Sequence, residues 1–176
     1  MSDAPGAAPA PAVSFNDPEG IGGWLILVGL GLVASLIIRA FATLGVVRML
    51  TSGTIAILTN PHSVGYIPGY VGLMWFELST GLATLAANVA VLILFSRESR
   101  WFPRMYIGLL ALGAVLGTTD HLLLLHAIHG SSRLLQDRMH DELTNGGLRQ
   151  IGVVGGAILW ICYTAKSRRV KNTFVG

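Results

Sequence analysis

The chain has 176 residues, of which 52% are apolar and only 12% are charged. A soluble domain carries about 25% charged residues, so this chain lacks the charge needed to cover a surface in water. The net charge of +3 is small and the basic residues lie near the ends of apolar runs, which excludes a nucleic-acid surface and favours a single membrane domain.

The N-terminal segment is rich in alanine and proline, and its first 14 residues contain no lysine or arginine. This composition predicts a disordered tail over residues 1–19. A cleaved secretory signal needs a basic start and a short apolar core, whereas the first apolar run here begins at Ile21 and is far longer. We therefore expect this run to stay attached as a membrane helix.

Four apolar runs are long enough to cross a bilayer, which requires about 20 residues of helix. They predict helices over residues 21–50, 70–95, 105–128 and 148–165, within a membrane domain of residues 20–166. The linker 51–69 is rich in glycine, proline and asparagine, so it predicts an ordered loop or a short interfacial element. The predicted fold class is an all-α membrane protein built on a four-helix bundle.

The segment before the fourth run has a different pattern. Ser131 and Ser132 can cap a helix, and apolar residues follow at helical spacing from Leu134 to Leu143. The run 145–147, Asn-Gly-Gly, is typical of a helix end. We therefore predict a short amphipathic helix that lies on the outer membrane surface or extends the third helix into water.

Dense basic clusters predict the orientation of the chain, because short cytoplasmic segments are enriched in lysine and arginine. One cluster is in the second connection and the other is in the basic C-terminal tail, residues 167–176. The residues are Arg97, Arg100, Arg104, Lys166, Arg168, Arg169 and Lys171. Both termini are therefore expected on the cytoplasmic side.

Pairs of glycines at i, i+4 spacing let helix backbones approach closely in lipid. Gly113 and Gly117 form such a pair in the third run, and Gly152 and Gly156 form another in the fourth. We interpret them as packing sites within this chain, with a dimer or a partner subunit as the alternative. Asn88 in the second run is expected to form a hydrogen bond between helices.

Ionisable residues at membrane depth are the most informative, because a charge there costs at least ~2.5 kcal/mol and is usually paired or functional. Arg39, Glu77, Asp120 and Arg149 come from four different helices and fall in one outer layer. We predict that they meet as a buried, nearly neutral polar network. The network has three possible roles: fixing helix order, conducting protons or ions with His121 and His126 as titratable neighbours, or lining a ligand cavity.

The sequence gives no support for a metal site, a cofactor or catalysis. His121, His126 and His129 do not share one tight helix face, so no metal site is expected. No Walker loop, Gly-x-Ser-x-Gly, His-Glu-x-x-His or Cys-x-x-Cys motif is present. We therefore expect a protein that is not an enzyme and that holds no cofactor.

Three stretches resemble a known family. They are residues 20–25 (Gly-Ile-Gly-Gly-Trp-Leu), residues 94–106 around Phe102-Pro103-Arg104, and the end, Trp160 to Tyr163 followed by the stretch 167–175. Over about residues 20–175 the chain is similar to bacterial membrane proteins called domain of unknown function 2569. The resemblance implies a four-helix protein of the bacterial inner membrane, with Glu77, Asp120 and Arg149 at places where the family tends to carry such residues, and it implies no mechanism. The histidines at the end of the third helix and the charged outer segment depart from the family pattern.

The C-terminal motif suggests an interaction, because Arg169, Lys171 and Phe174 together exceed what orientation requires. We expect them to dock on anionic lipid, on a partner, or on the inner ends of the first two helices.

Taken together, the sequence favours a noncatalytic accessory or assembly subunit that contacts membrane lipids and a larger membrane complex. The competing hypothesis is a small transporter or proton-coupled carrier that uses Glu77 and Asp120.

Overall fold

The computed structural model describes residues 21–174, so the predicted tail over residues 1–19 lies outside the described residues. Within them the chain is helical and has no strand. The helices are α1 (Trp24–Thr51), α2 (Thr54–Thr59), α3 (Tyr70–Ser96), α4 (Phe102–His129), α5 (Arg133–Lys166) and α6 (Arg168–Thr173). Four of them, α1, α3, α4 and α5, are long and apolar enough to cross a membrane. The predicted all-α membrane fold with four spanning helices is confirmed.

The long helices pack in the order α1, α3, α4, α5, each against the next. We call the end of the bundle that holds the first and last described residues the terminal end, and the opposite end the loop end. A buried cluster of large side chains closes each end. Cavities lined by both α1 and α5 separate these two helices over much of their length.

Short α2 and the turns that follow it cover the loop end. The N–H of Ile67 donates to the carbonyl oxygen of Leu58 at 2.9 Å, which folds the linker back on α2. Ile67 is buried with Val46 of α1 and Leu73 of α3. The linker 51–69 is therefore an ordered element with a short helix, as its composition predicted.

The prediction that a separate amphipathic helix ends at residues 145–147 is wrong, because α5 continues through them without interruption. Each glycine costs about 1 kcal/mol in a helix interior, and tertiary packing can offset that cost. The imidazole of His121 lies 3.3 Å from the position that a Cβ of Gly146 would occupy and 3.4 Å from that of Gly147. The two glycines thus make room for a side chain of α4 and do not end the helix.

The start of α5 also differs from the prediction. Ser132 is the N-cap residue, but its side chain caps no N–H of α5. Its hydroxyl donates instead to the carbonyl oxygen of Val64 at 3.0 Å, which ties the helix start to the linker. With 34 residues, α5 is about 51 Å long and exceeds a hydrocarbon core of about 30 Å. The amphipathic segment is the first part of this long helix.

The C-terminal segment folds back on the terminal end of the bundle. The hydroxyl oxygen of Ser167 accepts a hydrogen bond from the N–H of Val170 and starts α6. The ring of Phe174 then lies 4.5 Å from that of Phe102 and 6.0 Å from that of Phe95, centroid to centroid. Phe174 is only 5% exposed and lies in one buried cluster with Leu25 of α1 and Phe95 of α3. Of its three expected docking sites, the ring therefore occupies the inner ends of the first two spanning helices, and docking of this ring on lipid or on a partner is wrong.

The other two residues of the C-terminal motif have different surroundings. A guanidinium nitrogen of Arg169 lies 2.8 Å from the position that a Cβ of Gly22 would occupy and 2.9 Å from that of Gly23. Gly23 also has a φ of 54°, a conformation that favours glycine. Lys171 is exposed. The first and last stretches of the family resemblance therefore meet at one place.

Candidate functional site

Three of the four predicted ionisable residues lie well inside spanning helices, displaced toward the loop end. With a rise of about 1.5 Å per residue, Glu77 is about 10 Å from the start of α3, Asp120 about 14 Å from the end of α4, and Arg39 about 18 Å from the end of α1. All three side chains are partly buried. The predicted polar layer is thus formed by α1, α3 and α4 on facing sides of the bundle.

Arg39 lies where three cavities adjoin, and it contributes to the wall of each. A guanidinium nitrogen of Arg39 is 3.0 Å from the position that a Cβ of Gly113 would occupy. The glycine was predicted to let helix backbones pack, but its hydrogen-sized side chain makes room for a guanidinium. A side chain at residue 113 would have to displace the arginine.

The largest cavity near Arg39 has a volume of about 770 Å3 and lies between α1, α4 and α5. We call it the polar cleft. Its polar lining consists of Arg39, Asp120, His121, Glu142, Arg149 and Gln150, among others. Both signs of charge are therefore present around one space.

Glu77 and Asp120 both line a second, smaller cavity of about 150 Å3 between α3 and α4, next to Arg39. A third cavity of about 260 Å3 extends from Arg39 toward the terminal end, with a mainly apolar lining that includes Leu109 and Trp160. The arginine thus stands between a polar space on one side and an apolar space on the other.

The predicted ion-pair network is not formed. None of its four members has an oppositely charged atom within 4.0 Å in the part of the chain that the structure describes. Oδ1 of Asp120 is buried and has no hydrogen-bond donor among residues 21–174. Arg149 is exposed and lines the polar cleft from α5. The charged groups therefore surround open space, and their geometry differs from that of a closed structural network.

Side-chain amides donate hydrogen bonds between helices within the bundle. The Nδ2 of Asn88 donates to the hydroxyl of Ser35 at 2.6 Å, which confirms the bond between helices predicted for Asn88. The Nε2 of Gln150 donates to the hydroxyl of Thr118 at 3.1 Å and joins α5 to α4. Gln150 is not among the residues predicted from the sequence, although its place beside Arg149 near the start of the fourth apolar run was a usable signal.

The predicted glycine pairs divide into two groups. Gly117 faces Gln150, whose amide lies 3.1 Å from the position of a Cβ, so it does lie at a helix contact. Gly156 lines the apolar cavity, and no atom lies within 4 Å of the place of its Cβ. Gly152 is exposed, and no atom lies within 4 Å of the position of its Cβ, so it faces away from the other helices. The prediction that Gly152 packs within this chain is therefore wrong.

The two predicted titratable neighbours are separated. His121 lines the polar cleft and packs on Gly146 and Gly147. His126 is exposed and lines a different cavity, next to Pro68 and Phe76. Within residues 21–174 no group of three or more histidine, cysteine or acidic residues is placed to hold a metal ion. Glu142 of α5 is exposed and also contributes to the polar cleft.

Comparison with known proteins gives one match. A protein-family model described as "Protein of unknown function (DUF2569)" matches residues 18–175. No curated protein and no solved structure matches the chain.

Proposed function

Because the chain belongs to the DUF2569 family of proteins of unknown function, we propose a function from its own geometry: a noncatalytic membrane carrier that binds a small charged solute in the polar cleft. The observation that supports this proposal is the set of charged side chains of α1, α4 and α5 that face one cavity without pairing with each other.

The size of the cleft suits a small molecule, since ligand sites typically enclose about 300 to 1,000 Å3 and this one encloses about 770 Å3. Charges in membrane-spanning helices are costly and usually mark a solute or ion pathway when they face a water-filled space. Arg39 and Asp120 both line the cleft. Among the described residues Arg39 has no hydrogen-bond or ion-pair partner, and Oδ1 of Asp120 is buried without a donor. A solute that carries a charged group would satisfy one or both.

Proton coupling is part of the same proposal. Glu77 and Asp120 are carboxylates from two helices that share one small cavity beside Arg39. A carboxylate pair at membrane depth can take up and release a proton, and His121 adds a third titratable group next to the polar cleft. The carrier would therefore couple the movement of a proton to that of its solute at this layer.

The first expected result is that water reaches the polar cleft at membrane depth. Ala42 of α1 lines the cleft, while its neighbour Phe41 is 71% exposed on the outer face of the same helix. Cys162 is the single cysteine of the sequence and is exposed, so the test uses a Cys162→Ser background. In that background, the Ala42→Cys protein should react rapidly with a charged, membrane-impermeant thiol reagent in native membranes. The Phe41→Cys protein should react much more slowly, because hydrocarbon excludes both water and the reagent.

Equal and slow labelling of both variants would contradict the proposal, because it would mean that the cleft is dry or closed by lipid. A denatured sample of each variant controls for the intrinsic reactivity of its thiol. A panel of inorganic anions, carboxylates, amino acids and organic cations then identifies the solute by its ability to slow labelling of the Ala42→Cys protein.

A second function, an accessory or assembly subunit of a larger membrane complex, is favoured by one surface of α5. Gly152 and Gly155 are exposed with no atom within 4 Å of either Cβ position, and Ile151 beside them is 70% exposed. Small residues on an open helix face are typical of close helix packing in lipid. The occupant would be a spanning helix of a partner protein.

Purification from native membranes in mild detergent tests the subunit function. A partner at constant ratio, lost in the Gly152→Leu/Gly155→Leu variant and kept in a Val153→Leu control, is the expected result. Recovery of the chain alone would contradict this second function and leave the carrier proposal unaffected.

For localisation we propose the bacterial inner membrane with both termini in the cytoplasm. The terminal end of the bundle carries the basic residues of both predicted clusters, including Arg97, Arg104 and Lys166. The enrichment of short cytoplasmic segments in arginine and lysine supports this orientation.

A further inference from the structure

The junction between α3 and α4 contains a small basic cavity at the terminal end of the bundle. It encloses about 240 Å3 and is lined by Arg100, Trp101 and Arg104. The guanidinium carbon of Arg104 lies 5.7 Å from the centroid of the Trp101 ring, the distance of a cation–π contact. The aromatic ring therefore holds one of the two guanidinium groups in place.

Neither arginine is paired with a carboxylate in the described part of the chain. Within residues 21–174, no carboxylate lies within 4.0 Å of the guanidinium of Arg100 or Arg104. Both side chains are exposed, and Trp101 between them is 52% exposed. Two guanidinium groups that line one small cavity without a carboxylate partner complement a phosphate, which accepts paired hydrogen bonds from arginine.

From this cavity toward the loop end, one face of α4 forms an apolar stripe. Its members follow helical spacing and point away from the bundle: Trp101 at 52% exposure, Met105 at 44%, Leu112 at 46% and Val115 at 62%. Gly108 interrupts the stripe, and nothing lies within 4 Å of the position of its Cβ. The stripe is therefore a shallow groove on a spanning helix, continuous with the basic cavity above it.

We propose that this surface is a binding site for an anionic phospholipid. The phosphate lies between Arg100 and Arg104 beside Trp101, and one acyl chain lies in the groove over Gly108. Orientation alone requires only basic residues on one side of the membrane, whereas a cavity, a cation–π contact and an apolar groove in line match a phosphate and an acyl chain together.

The test measures lipid binding to the full-length protein by native mass spectrometry in detergent. We expect phosphatidylglycerol to bind at least about tenfold more tightly than phosphatidylcholine. The Arg100→Gln/Arg104→Gln variant should bind phosphatidylglycerol about 10- to 30-fold more weakly, as expected for two lost basic contacts near a membrane surface. The Arg97→Gln/Arg168→Gln variant removes the same net charge from outside the cavity and should keep the wild-type affinity.

A second variant separates a lipid from a free phosphate. Gly108→Phe fills the groove, so it should weaken binding of phosphatidylglycerol several-fold and leave binding of glycerol phosphate unchanged. The proposal is overturned if phosphatidylglycerol shows no preference over phosphatidylcholine or if both double variants lose affinity equally. It is also overturned if Gly108→Phe has no effect on the lipid, since the site would then accept a phosphate without its chain.

Discussion

Replacing Phe174 with alanine is expected to lower the free energy of unfolding by about 3 to 5 kcal/mol, the range for removing a buried phenylalanine from a protein core. The ring is 5% exposed and packs on Phe102 and Phe95, at centroid distances of 4.5 and 6.0 Å. Its loss would leave a cavity in the cluster that closes the terminal end. Thermal unfolding of the purified protein in one detergent, followed by circular dichroism, measures the change.

Lys171→Ala is the matched control, because Lys171 belongs to the same short helix and is exposed. It should change the melting temperature little. An unchanged melting temperature for Phe174→Ala would mean that α6 is detached from the bundle in solution. Such a result would leave Phe174 with the other two docking sites that its sequence suggested, lipid or a partner.

The same cluster explains why the two ends of the chain resemble one family pattern. Leu25, next to the glycine pair of the first stretch, is fully buried, and Val170 of the last stretch is 1% exposed in the same cluster. Arg169 covers Gly22 and Gly23 directly. Sequence patterns that look like separate signals are therefore parts of one tertiary contact, which reading along the chain does not reveal.

The spanning helices were predictable because each crossing of the bilayer requires about 20 apolar residues. Apolar runs of that length are visible in the sequence without any knowledge of tertiary contacts. The boundary at residues 145–147 was not predictable in the same way. Glycines favour a helix end locally, but His121 fills the space beside them from another helix. The packing of His121 against these glycines outweighs their local preference for a helix end, and His121 belongs to a different helix, α4.

The polar residues show the same difference between features that follow from the local sequence and features that depend on tertiary contacts. Depth along a helix follows from counting residues, so the layer that contains Arg39, Glu77 and Asp120 was predicted correctly. Pairing depends on helix rotation and on which helices adjoin, and neither is encoded in spacing. Oδ1 of Asp120 therefore lacks a donor among the described residues, where the sequence had suggested an arginine partner.

Replacing Arg39 with methionine is expected to weaken solute binding about 10- to 100-fold. The free energy of unfolding of the empty protein should stay unchanged or rise by up to ~2.5 kcal/mol, because a guanidinium that faces a cleft costs no more than the lower estimate for a charge at membrane depth. The guanidinium has no carboxylate within 4.0 Å among the described residues, so its removal leaves no partner charge uncompensated. A structural ion-pair network predicts the opposite sign, because breaking a buried pair costs about 3 to 5 kcal/mol.

The sign of the change in melting temperature therefore distinguishes a binding cleft from a structural network, and it does so before any solute is known. Arg48→Met on the same helix removes the same charge from an exposed position and sets the baseline.

The solute panel then provides the second measurement. A solute that protects Ala42→Cys from labelling should lose that effect when Arg39→Met is added, because a charged hydrogen bond contributes about 1.5 to 3 kcal/mol and its loss weakens binding about 10- to 100-fold. A large fall in melting temperature for Arg39→Met alone would show that the arginine is paired after all, and the cleft would then lose the cation on which solute recognition depends.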